Sequence, residues 1–479
     1  MRRFIRSALA ATLIAGSVVT TAAAAPAVQT AAAPVADPVA EVTAKLQTIP
    51  GLRIERSSVV GGKPFFVLWY TQAADHKLAN HKQARGEKFE QRVTLWHRGF
   101  DRPTVLHTTG YGGVGGAFTA EPTRLVDGNQ LNVEQRFFNT STPASKNWSK
   151  LNIWQAATDH HEIVQAFKKA LYSGKWVSTG ASKGGMTSVY HRRFYPNDVD
   201  ATVAYVAPQD VDNRRDSYVG FIQDAGTDPA CNLALRNLQR NTLLRRPAMV
   251  AKLKEFAAQN GLTYEDTFGS ADRALEAAVL DTPFAFWQYS TQDSCPEVPG
   301  TAAATDQQLF DFIDLISGWS FYSDEGIADY IPYYFQATQQ LNWPDVASKT
   351  TWLKGLLHYR EAGDAPAGVP DAIEPKHEPF AMADVDLWLK TSGKRLLFVY
   401  GENDPWSAEK FEPGRGTRDS HWYTQPNGNH GSSIGGLPAA QRTEATQILQ
   451  KWMGVTVNPA VAQTRTNTID PGAQRQGLR

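Results

Sequence analysis

The pentapeptide Gly180-Ala181-Ser182-Lys183-Gly184 constrains this chain more than any other segment. It follows the short run Lys175-Trp176-Val177-Ser178-Thr179 and opens a helical pattern over 183–195 that Pro196 terminates. A chain passing from strand to helix in so few residues must turn sharply at Ser182. The neighbours must be small, because the backbone is crowded and strained there. The turn sets the hydroxyl beside a helix N-terminus, whose dipole and free N–H groups favour negative charge. The spacing therefore predicts a nucleophile at Ser182 and an oxyanion donor in the Lys183 N–H.

The flanking sequence alternates between two periods. Strands are expected over 64–70, 89–96, 103–108, 131–138, 175–179, 201–206, 395–400 and 421–424, with a helix over 153–171. Alternation of this kind argues for an α/β chain with a mostly parallel sheet covered on both faces. From Asn213 to Glu374 the rhythm breaks. That block is helix-patterned around 233–256, 306–319 and 345–357, and rich in aromatic residues. Inserted between sheet strands, it reads as a cap over 213–374, with the sheet domain split into 41–212 and 375–479.

A serine hydroxyl needs a base, and the base needs a carboxylate to orient it. In the α/β-hydrolase fold the order is serine, then acid, then histidine. Asp404 lies in Gly401-Glu402-Asn403-Asp404-Pro405-Trp406, after the strand 395–400, and His430 lies in Gly428-Asn429-His430-Gly431, after the strand 421–424. Both occupy C-terminal strand ends, where open parallel sheets place their sites. Glu402 is the rival acid; the Asp-Pro turn beyond the strand favours Asp404. The second oxyanion donor is expected in Gly110-Tyr111-Gly112-Gly113, at the Tyr111 N–H, with Gly110 and Gly112 as alternatives.

Two other motifs point elsewhere and are set aside. Gly110 to Gly115 matches the dinucleotide fingerprint, but the stretch after it opens no helix. Asp159-His160-His161-Glu162 suggests a zinc helix, but Gln165 stands where the second histidine belongs, so a solvated helix face is expected. No cofactor and no metal is implied.

Arg2, Arg3 and Arg6, then an apolar stretch to Val19, then Ala22 to Ala25, read as a signal peptide over 1–25. The apolar run is too short for a membrane anchor. An uncharged linker or pro-segment over 26–40 follows, so export without stable membrane association is expected. In an oxidising compartment Cys231 and Cys295, the two cysteines of the chain, are able to bridge; two buried thiols are the alternative. The 48 basic and 48 acidic side chains balance, which argues against nucleic acid as a partner.

Ser178 to Thr187 resembles the nucleophile segment of the secreted bacterial tripeptidyl aminopeptidases, serine exopeptidases of the α/β-hydrolase clan. Arg193-Phe194-Tyr195-Pro196, Ala204-Tyr205-Val206-Ala207-Pro208, Phe286-Trp287-Gln288-Tyr289 and Gly401 to Trp406 are similar to that family as well. Glu134-Gln135-Arg136-Phe137-Phe138 resembles a strand end of the related lysosomal prolyl peptidases. The similarity spans 42–455, cap included, and all three triad positions are filled. It implies release of tripeptides from the free N-termini of peptide substrates, in some members with proline at the cleaved position.

Such an enzyme must hold a substrate ammonium, and a carboxylate beneath the cap would do so. Glu134 is the first candidate, followed by Asp212, Asp216 and Glu325. Phe286, Trp287 and Tyr289 are candidates to line an apolar pocket. A secreted esterase or lipase with the same triad is the alternative reading, and a non-catalytic binding protein of this fold is a third.

Overall fold

Strands β1 (Leu52–Val60), β2 (Lys63–Ala73), β3 (Lys88–Trp96), β4 (Thr104–Thr108), β5 (Asn129–Val133), β6 (Trp176–Ala181), β7 (Ala201–Tyr205), β8 (Leu396–Gly401) and β9 (His421–Gln425) form one sheet. Their spatial order is β1-β2-β3-β5-β4-β6-β7-β8-β9. From β5 through β9 every pair is parallel, whereas β1, β2, β3 and β5 pair antiparallel. The computed structural model describes residues 38–79, 86–212, 217–359, 369–370, 373 and 375–456. The expected signal peptide, most of the linker and Asp216 lie outside the described residues. Residues 38–40, expected as linker, open the helix Pro38–Leu46, which buries Val42 and Leu46.

Pattern explains the layers. The parallel strands β4, β6, β7 and β8 are buried along their whole length, as strands covered on both faces must be. Side chains alternate between the two coverings. Val203, Tyr205, Leu397 and Val399 meet Leu449 and Trp452 of the helix Ala439–Met453. Ala204, Leu396, Phe398 and Tyr400 meet Met186, Val189 and Tyr190 of the helix Lys183–Phe194, together with Val385 and Leu389. Each such aliphatic or aromatic side chain contributes about 1.5–3 kcal/mol by leaving water.

Several expectations need correction. The strand expected over 131–138 stops at Val133, and Phe137 takes a φ of 69° in the turn that follows. Asp159 and His160 are buried, not solvated. Arg136 donates to both Asp159 oxygens at 2.7 Å, and His76 Nε2 lies 2.7 Å from Oδ1. The helix Ile153–Ala170 thus presents Asp159 to receive a buried guanidinium.

The inserted block is helical, with its own core. The single amphipathic stretch expected over 233–256 is two helices, Pro229–Leu244 and Arg246–Asn260, because Pro247 suits only the first turn of a new helix. The stretch 345–357 holds only the short helix Val346–Lys349 and the turn Thr351–Leu353. The long helix Ala271–Tyr289 runs through the middle and packs against Leu235, Leu253, Leu309 and Trp319. Cys231 and Cys295 are joined as a disulfide, which fastens the helix Pro229–Leu244 to the turn Gln292–Glu297. Among the described residues no helix is long and apolar enough to cross a membrane.

Candidate active site

Ser182 stands between β6 and the helix Lys183–Phe194 with φ 55° and ψ −129°, a conformation L-residues rarely adopt. Close packing holds it. A Cβ on Gly180 would lie 2.4 Å from the Gly184 carbonyl, and one on Gly184 would lie 2.5 Å from the Thr108 carbonyl. The small residues read from the sequence are therefore required by contact with β4. The Ser182 N–H donates to the Tyr205 carbonyl at 2.9 Å, which ties the turn to β7.

β8 and β9 deliver the other two groups. Asp404 is fully buried, and its side chain caps the turn Pro405–Ala408 by accepting from the Trp406 N–H at 3.2 Å. Its Oδ2 lies 2.8 Å from Nδ1 of the buried His430. The rival Glu402 is exposed and accepts from the Asn427 N–H at 2.7 Å. His430 Nε2 is buried and has no hydrogen-bond partner among the described residues. The hydrogen bond expected between the Ser182 hydroxyl and His430 is therefore not formed in this structure. Bonds of that kind commonly tighten only when substrate is bound.

The glycine loop after β4 lies against the start of the serine helix, since a Cβ on Gly110 would lie 2.5 Å from the Gly184 nitrogen. The Tyr111 N–H is turned onto the Thr109 hydroxyl at 3.3 Å. The Gly110 and Gly112 N–H groups have no hydrogen-bond partner among the described residues.

The expected ammonium anchors are scattered. Glu134 is buried and accepts from Ser141 Oγ at 2.6 Å, Thr140 Oγ1 at 3.2 Å, Asn139 Nδ2 at 3.4 Å and the Gly113 N–H at 3.2 Å. Burial raises the pKa of its carboxyl, and the Ser141, Asn139 and Thr140 donors offset only part of the rise. Its place is beneath the glycine loop. Asp212 is half-buried where the chain leaves the sheet for the cap, and its N–H donates to Asp210. Glu325 is exposed and holds the Thr263 N–H and hydroxyl at 3.0 Å.

Phe286 and Trp287 are core of the cap, and Trp287 Nε1 donates to Asn232 at 2.8 Å. Tyr289 alone of the three reaches the site, with its ring edge-on to His430 at 6.3 Å.

Sequence reasoning missed how the cap meets the sheet loops. The His430 N–H donates to the Gln288 carbonyl at 3.0 Å, Asn429 Nδ2 to the Ser290 carbonyl at 3.1 Å, and the Gly226 N–H to Asn403 Oδ1 at 3.0 Å. Tyr330 and Tyr333 of the cap stand 6.2 and 5.8 Å from the Tyr111 ring. These contacts join segments more than a hundred residues apart, beyond the reach of local pattern.

A model of the PS-10 peptidase S37 family matches residues 36–476. The chain belongs to the peptidase S37 family. As an S37 peptidase it is a serine peptidase on the α/β-hydrolase fold, as the serine turn and parallel sheet had indicated. It is 45% identical over 458 residues to the prolyl tri/tetrapeptidyl aminopeptidase of Streptomyces mobaraensis, covering 95% of this chain and 93% of that one. Among solved structures it resembles a peroxisomal alpha-beta-hydrolase of Saccharomyces cerevisiae, at 11% identity and a TM-score of 0.33, covering 84% of this chain and 93% of that one. Epoxide hydrolase A of Mycobacterium thermoresistibile is similar at 12% identity and a TM-score of 0.31, covering 85% of this chain and all of that one.

Proposed function

We propose that this S37 peptidase is an exported aminopeptidase that releases tripeptides from free N-termini through an acyl-enzyme on Ser182. The observation that carries the reading is the buried His430–Asp404 pair at 2.8 Å, with Nε2 left over for another partner. The named activity of the Streptomyces relative supports the substrate class.

Ser182 Oγ attacks the scissile carbonyl while His430 Nε2 accepts its proton. Asp404 holds the Nδ1–H, so the ring presents the correct tautomer and its positive charge is balanced. The Lys183 N–H and an N–H of the 110–112 loop receive the oxyanion. His430 then protonates the departing amine, and water reverses the sequence to free the short peptide. The cap, over about 213–374, limits how far the substrate enters. Glu134, beneath the glycine loop, is the first candidate to anchor the substrate ammonium, followed by Asp212 and Glu325. Residues 1–25 act as the export signal.

The test pairs a variant with a substrate contrast. Ser182→Ala is expected to abolish fluorophosphonate labelling and turnover while the protein stays folded. The wild type is expected to cut peptides with a free N-terminus and spare their acetylated forms, and mass spectrometry is expected to show tripeptide products. Equal cleavage of both forms would favour an endopeptidase. Fast ester turnover without peptide cleavage would favour the esterase.

A further inference from the structure

The Lys183 backbone lies next to the nucleophile, but its side chain has had no part in the account so far. That side chain is 2% exposed, an unusual place for an ammonium. It turns back toward the glycine loop, and Nζ donates to the Gly110 carbonyl at 2.6 Å. On the way it lies over two rings, 5.5 Å from the Tyr111 centroid and 5.2 Å from that of Phe138.

A trans peptide is planar, so a force on its oxygen also fixes the direction of its N–H. The Gly110 carbonyl and the Tyr111 N–H belong to one such plane. With the carbonyl drawn to Nζ, the N–H must point away, and it meets Thr109 Oγ1. Gly110 itself has a φ of 74°, and glycine there is free to rotate unless something restrains it. At the far end of the loop the Glu134 carboxylate takes the Gly113 N–H. The loop that carries the Gly110 and Gly112 donors is therefore held at one end by a cation on a carbonyl and at the other by a carboxylate on an N–H. Both holds are charge-assisted bonds, which are about twice as strong as neutral ones.

We infer that the Lys183 side chain is a positioning residue for the oxyanion site: by pinning the Gly110–Tyr111 peptide it holds in place the two flanking peptides, which carry the Gly110 and Gly112 N–H groups. The residue thus serves the oxyanion twice, with its own N–H and through the loop that it restrains. The inference rests on the aminopeptidase reading above. It predicts a specific defect: a substrate still binds, but negative charge on the carbonyl oxygen loses a preorganised partner.

The experiment compares two ligands on two variants. A tripeptide aldehyde adds to Ser182 and needs the oxyanion site, whereas the free tripeptide product does not. Lys183→Met removes the donor at nearly constant volume. It is expected to lower kcat about 100-fold, a typical loss for one oxyanion contact, with KM within about threefold. Aldehyde affinity should fall by a similar factor and product affinity should hold. Lys183→Gln keeps a donor on a shorter arm and is expected to fall between the two. If Lys183→Met does not accumulate as folded protein, the same comparison on Lys183→Gln decides. Unchanged aldehyde affinity, or equal losses for aldehyde and product, would overturn the inference. Failure of the wild type to bind the aldehyde at Ser182 would instead overturn the functional reading.

Discussion

Ser182 keeps a backbone conformation that costs on the order of 1–3 kcal/mol, and the strand–helix contacts around it supply the restraint. Asp404 is different: its conformation is ordinary, but its burial is complete and its Oδ2 has a single charged task at His430. At this scale the two candidate acids separate cleanly. Asp404→Asn is expected to lower kcat by about 10⁴-fold, as loss of the orienting carboxylate does in serine triads. Glu402→Ala, at an exposed loop carboxylate, is expected to leave kcat within about twofold. Steady-state rates on a peptide nitroanilide check both, and a reversed order would reassign the triad.

Elements are held together by polar clamps as well as by apolar cores. Asp198, just after the serine helix, lies 2.8 Å from His161 Nδ1 and 2.9 Å from His191 Nε2, so it joins two helices on one face of the sheet. Burial acts to raise its pKa, but the two imidazoles outweigh burial and hold it well below the usual carboxylate range. A carboxyl with a depressed folded value contributes stability above its unfolded value, here near 3.8, and that stability is lost as pH falls through the folded value. Asp198→Asn is expected to lower Tm at neutral pH and to flatten the wild type's fall in Tm below about pH 4. Melting curves from pH 7 to pH 2 decide it; parallel curves for the two proteins would remove Asp198 from the account.

Legibility in the sequence follows the same division. Strands β6, β7 and β8 and the serine helix were readable because a local period sets them, and the pairing of Asp404 with His430 because each follows such a strand. Asp159 was misread because its partner Arg136 comes from a different layer, and no spacing announces a buried ion pair. The contact of the Tyr111 N–H with Thr109 was not legible, because a hydroxyl two residues away decides which way that peptide plane faces.

For the whole molecule, the joint between cap and sheet is the governing feature. The long cap helix ends at Tyr289; its Gln288 carbonyl takes the His430 N–H, and the Ser290 carbonyl just beyond it takes Asn429 Nδ2. The Cys231–Cys295 bridge closes 64 residues of cap just beyond that end. In the chain-entropy model a closure of this length contributes about 4 kcal/mol. The double variant Cys231→Ser/Cys295→Ser is expected to unfold at a lower temperature and to lose the wild type's sensitivity to reductant. Identical melting of wild type and double variant under oxidising conditions would show that the bridge carries no stability.

The outermost strand gives a last consequence. β1 ends the sheet farthest from the serine, and among the described residues only β2 pairs with it. It carries Arg53, Glu55 and Arg56, whose side chains reach Glu90, Arg92 and the Gly115 carbonyl. Unpaired strand margins attract extended chains, and charges are the usual guard against it. A peptidase lives among extended chains. Charges along that margin disfavour the addition of a substrate peptide as a tenth strand.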